Sequence, residues 1–62
     1  FPEFYEGVRV KHGVRGEGVI TGIEDDKANS RQTLVVDFDA PDSNGVTVHR
    51  YGAHSLDKLK VI

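Results

Sequence analysis

A period of two runs through this chain and limits its fold more than any other feature. In residues 7–12, GVRVKH, Val8 and Val10 alternate with Arg9 and Lys11, as a half-buried strand requires. Residues 17–25, EGVITGIED, are rich in β-branched side chains and run into the acidic cluster Glu24, Asp25 and Asp26. In residues 33–39, TLVVDFD, Leu34, Val36 and Phe38 share one face, and Val35 and Asp37 the other. Residues 46–51, VTVHRY, alternate again, with Val46 and Val48 opposite Thr47, His49 and Tyr51. Residues 60–62, KVI, close as a last short strand. Residues 25–32, DDKANSRQ, read as a polar loop. Residues 40–45, APDSNG, read as a hairpin turn, because Asn44 and Gly45 both tolerate positive φ. In residues 53–59, Leu56 and Leu59 stand three apart, enough for one helical or 3₁₀ turn.

Five short strands and no helix beyond a single turn make an all-β chain. An isolated hairpin is marginal in water, whereas five strands curled on themselves hide their edges and share one core. The expected fold is a five-stranded SH3-like or Tudor-like barrel over residues 7–62, with one short 3₁₀ turn before the last strand. Residues 1–6 read as an N-terminal extension, in which PEF (2–4) is expected to be partly a cloning remnant. The chain does not begin with Met and is expected to belong to something longer. A chain of 62 residues has a modest core, burying only roughly 60% of the surface its unfolded form exposes. It has no cysteine, so neither a disulfide nor a thiolate metal site reinforces it. That fits a reducing, intracellular setting, cytoplasmic or nuclear.

The formal charge is −2, and nucleic-acid binders usually carry a basic excess, so nucleic acid is not the expected partner. No apolar run approaches the roughly 20 residues of a membrane helix, so no membrane insertion is expected. The glycines of VKHGVRGEGVITGI (10–23) lead into another strand, and no G-K-[ST] follows, which argues against a phosphate cradle. They read as geometry: Gly13 or Gly16 gives positive φ in a turn, and Gly18 lets a bent strand pass close to its neighbour. His12, His49 and His54 lack the short ligand spacing of a zinc site, so no metal or cofactor is expected. His49 or His12 reads instead as half-buried, donating to a backbone carbonyl or to Asp57. Ser55 has no G-x-S-x-G setting, and the adjacent Asp25 and Asp26 point to opposite faces of a strand, so an enzyme is not expected. With two Tyr and no Trp, a complete aromatic cage for methylated side chains is not expected either. Tyr5 and Tyr51 are candidates for exposure. In the alternative, Tyr51 caps the barrel and bonds through its hydroxyl.

GVRVKHGVRGEGVI (7–20), VVDFD (35–39) and HRYGAHSLDKL (49–59), spanning residues 7–59, together resemble a repeat module of large multidomain proteins of protists and algae. His12, Arg15, Gly16, Gly18, His49, Tyr51, Ser55, Lys58 and Leu59 carry the resemblance. More distantly, residues 8–24 resemble the RNA polymerase-interacting domain of CarD and of transcription-repair coupling factor, and the Tudor-like C-terminal domain of UvrD-type helicases. The proline-containing segment of those polymerase-binding domains is missing here. DAPDSNGVTVHRY (39–51) resembles part of the CAP-Gly domains, but their signature Lys and Asp are absent, so their groove does not carry over. These resemblances imply an SH3-like barrel that binds rather than catalyses.

The expected function is thus a non-catalytic protein-interaction module, monomeric as a domain, that binds a peptide or protein surface. Its candidate contacts are Arg9, His12, Arg15, His49, Arg50, Tyr51 and His54, with Gly13, Gly16, Gly18, Asn44 and Gly45 shaping the turns. The alternatives are a structural spacer repeat, and a weak nucleic-acid-binding barrel using Arg9, Lys11, Arg15 and Arg50.

Overall fold

The computed structural model describes residues 3–26, 28 and 31–62. Its five antiparallel strands form one sheet: β1 (Arg9–His12), β2 (Gly16–Asp26), β3 (Arg31–Phe38), β4 (Val48–Gly52) and β5 (Leu59–Val61). Their order is β4-β3-β2-β1-β5, and a 3₁₀ turn, Ala53–Lys58, leads from β4 into β5. The all-β class and the turn before the last strand are as the sequence predicts. The sheet does not close on itself, and β4 and β5 are its two edges.

Register explains where the core sits. Val10 faces Gly18, which faces Phe38; Ile20 faces Val36, which faces His49; Leu34 faces Tyr51. These rows lie on one side of the sheet, and Val10, Ile20, Leu34, Val36, Phe38, Tyr51 and Leu59 are buried there. Phe4, Val8 and Leu56 pack against them, so the N-terminal extension contributes to the core. Val10, Ile20, Leu34 and Val36 are essentially fully buried, each contributing about 1.5–3 kcal/mol relative to exposure. Strict alternation would set Ile20 and Ile23 on opposite faces. A register shift between Ile20 and Gly22 inserts Thr21, so Ile23 comes to face Leu34.

Two strand expectations are corrected. β2 and β3 run on through the segment read as polar loop, pairing Asp25 with Gln32 and Asp26 with Arg31. Backbone pairing needs no apolar side chain once the hairpin has passed the edge of the core. Residues 27, 29 and 30 of that segment lie outside the described residues. The strand expected over residues 46–51 begins only at Val48, and its apolar phase is inverted: Val46, ahead of β4, and Val48 are exposed, while Tyr51 is only 8% exposed. Pairing with β3 aligns His49 and Tyr51 with Val36 and Leu34. Register with a buried neighbour overrides the count of valines.

Among the glycines, Gly18 alone sits where an added Cβ would meet atoms within 4 Å. A Cβ there would lie 2.8 Å from the Asp37 carbonyl oxygen and 3.0 Å from both Cα and Cδ1 of Phe38. Two of those three atoms are backbone and cannot swing away. Gly18→Ala is expected to destabilise the fold by about 1–3 kcal/mol through overpacking. Gly13→Ala meets nothing within 4 Å and should leave the unfolding midpoint nearly unchanged. Urea unfolding of the two variants checks the contrast.

Candidate functional site

The β1–β2 connection is a three-residue turn, 13–15, closed by the His12–Gly16 pair. Gly16, at φ +85°, supplies the left-handed residue that such a turn places at its exit. His12 fixes the rest. The backbone N–H groups of Val14 and Arg15 both donate to His12 Nδ1, at 3.0 and 3.2 Å. The neutral ring therefore carries its proton on Nε2. Burial, and then the charges of Arg15, Lys58 and His49, lower the imidazole's pKa from its ordinary value.

A second turn mirrors this one across the sheet. Asp42 Oδ1 accepts the N–H groups of Asn44 (2.8 Å) and Val46 (3.0 Å), and Gly45 has φ +80°. Those two backbone bonds, followed by His49 and Arg15, hold the Asp42 carboxyl below the usual carboxylate range. Its other oxygen lies 3.3 Å from His49 Nε2 and 3.8 Å from Arg15. The Arg15 guanidinium is also 3.2 Å from His49 Nε2. That nitrogen cannot serve both neighbours: it accepts from Arg15 as a bare lone pair, or donates to Asp42 as an N–H.

Rings join the two turns. Phe38 meets His12 and His49 edge-on, with centroids 6.1 and 5.7 Å away, and Tyr51 at 6.2 Å. His12 and Tyr51 are 5.7 Å apart. Phe38 and Tyr51 are buried, so the four rings form the end of the core rather than an open cage.

The sequence candidates thus separate. His12, Arg15 and His49 come together as a part-buried network. Tyr51 is a core residue, which corrects its expected exposure, because the register of β4 turns it inward. Its hydroxyl is buried and has no hydrogen-bond partner among the described residues. Arg9 is held outside by a bidentate pair with Asp39, at 2.6 and 3.0 Å, with Glu17 3.5 Å away. Arg50 pairs with Glu24 at 2.9 Å, and His54 is exposed on the 3₁₀ turn. His12 and His49 are half-buried as expected, but their partners are two backbone N–H groups, Arg15 and Asp42, rather than a carbonyl or Asp57. Among the described residues no three His, Asp or Glu side chains are arranged to hold a metal ion. No helix there is long and apolar enough to cross a membrane.

Beside this network lies an open groove of about 700 Å³. Lys11, His12, Gly13 and Val14 line it from β1 and its turn; Asp57, Lys58 and Lys60 line it from the 3₁₀ turn and β5. Val14 is 91% exposed. Sequence reasoning passed over Val14, Asp57 and Lys60 as groove residues, because only the β1–β5 pairing brings residues 57–60 beside residues 11–14. It also passed over Asp42, although an Asp two residues before Asn-Gly is a turn signal. Comparison with protein-family models, with curated proteins and with solved structures yields no match.

Two outcomes follow from this geometry. Tyr51→Phe removes a hydroxyl without a partner and should be neutral or slightly stabilising, whereas Tyr51→Ala should cost about 3–5 kcal/mol through the cavity it opens. Thermal and urea unfolding read both. Protonating His12 removes the acceptor for two N–H groups, so the fold binds that proton more weakly than the unfolded chain does. The stability His12 contributes is fully present above about pH 6.5, the unfolded value, and is lost as the pH falls through the lowered value. Asn can still accept from the turn, so His12→Asn should flatten that stretch of a stability–pH curve, and an unchanged slope would contradict the role given to His12. The Asp42 contribution has the same sign, present above the usual carboxylate range and lost only in stronger acid.

Proposed function

We propose that the chain is a non-catalytic interaction module built as an SH3-like, Tudor-like barrel, and that it takes a peptide or protein segment in the groove beside the β1–β2 turn. The barrel reading is supported by the strand order, by the 3₁₀ turn before β5 and by a bulged β2 eleven residues long that pairs with both β1 and β3. The resemblance of residues 10–20 and 49–59 to small barrel modules points the same way. The observation that carries the binding reading is the groove itself, walled by a valine that the fold leaves in water. Grooves with an apolar contact and a few polar groups are where small domains seat ligands.

A nucleic-acid surface on Arg9, Lys11, Arg15 and Arg50 is less well supported, since all three arginines face carboxylates of the same chain. Peptide display against the immobilised domain tests the proposal. Enriched peptides should perturb the amide signals of residues 11–14 and 57–60. Val14→Ser removes apolar contact without touching the core, and should weaken them roughly three- to tenfold. A selection that enriches no sequence, or amide changes confined to another face, would contradict it.

A further inference from the structure

The charges around the groove do not follow the pattern of the rest of the chain. Arg9 is met by Asp39 and Glu17, Arg15 by Asp42, and Arg50 by Glu24. Lys11, Lys58 and Lys60 enter no ion pair among the described residues, and all three line the groove. Lys11 and Lys60 are also direct cross-strand partners in the β1–β5 ladder. Like charges placed directly opposite on one face of a sheet destabilise it. Glu17, the partner of Lys11 on its other side, is drawn to the Arg9 guanidinium. The field reaches into the groove, for Lys58 and Arg15 contribute to the lowered pKa of His12.

We infer that the occupant of this groove is an acidic peptide segment carrying an aliphatic or aromatic side chain: carboxylates meet Lys11, Lys58 and Lys60, and the apolar side chain rests on Val14. This rests on the binding reading above and names the class of partner. A peptide fits better than a polyphosphate because Asp57 shares the lining, where it can accept a backbone N–H, a donor that a peptide carries and a phosphate chain lacks.

The test uses a short acetylated and amidated peptide in which glutamates flank one leucine, titrated into the labelled chain at low salt and followed by amide chemical shifts. Shifts are expected at residues 11–14 and 57–60. The double variant Lys11→Ala/Lys60→Ala, whose side chains are exposed, should keep the spectrum of a folded chain and weaken binding about tenfold. Replacing the glutamates by glutamine should abolish binding, and replacing the leucine by alanine should weaken it. Equal binding of the glutamine peptide would overturn the inference, as would tighter binding in the same groove by a single-stranded oligonucleotide of equal charge. If display selects neutral or basic peptides that still map to the groove, the acidic partner is wrong and the binding reading stands. If no peptide of any charge maps there, both fall.

Discussion

The absence of a side chain at Gly18 sets the rest of the structure. Only a residue without Cβ lets β2 lie this close to Asp37 and Phe38 of β3, where the nearest contact to an added carbon would be 2.8 Å. The approach lets the Phe38 ring turn across the end of the core, and His12, His49 and Tyr51 pack around it. His12, held against Phe38 and Tyr51, accepts the two N–H groups that shape the turn at residues 13–15. That turn carries Val14 into water and makes one wall of the groove. A steric vacancy inside the sheet is in this way linked, contact by contact, to the surface that the proposal assigns to a partner.

The two turns use one device. In each, a side-chain acceptor takes two backbone N–H groups that would otherwise lack partners: His12, at the end of β1, for Val14 and Arg15, and Asp42, between β3 and β4, for Asn44 and Val46. Arg15 and His49 join the two acceptors. The residues that stand out in the sequence as HGVRG and HRY therefore earn their positions as a structural network. The surface available to a partner is made by the lysines and the valine beside it.

Much of the fold is legible in the chain. Alternation in residues 8–12 and 33–39 marks β1 and β3 and their buried faces, and the Leu56–Leu59 spacing marks the 3₁₀ turn, with Leu56 inside it and Leu59 just beyond its end. The roles read for Gly18 and Gly45 hold as well: a close approach in the sheet and a positive φ in the turn. What escapes the sequence depends on pairing partners. The phase of β4 could not be read from VTVHRY, because both faces hold apolar or amphipathic groups and only the register against Leu34 and Val36 selects Tyr51. The bulge at Thr21 breaks the period of two inside a run that otherwise reads as continuous. Of the candidate contacts, Arg9, Arg15 and Arg50 meet carboxylates 26 to 30 residues away, and Lys11, Lys58 and Lys60 gather only because β5 returns beside β1. Long-range pairing of this kind leaves no local signal.

The most direct test of the chain of contacts from Gly18 to the groove is the protonation state of His12, read from its ring ¹⁵N chemical shifts at neutral pH. If His12 anchors the turn, the ring is neutral with its proton on Nε2, and Nδ1 shows the shift of a hydrogen-bonded acceptor. A proton on Nδ1, or an imidazolium at that pH, would mean that Val14 and Arg15 do not bond to this ring, and would contradict the account.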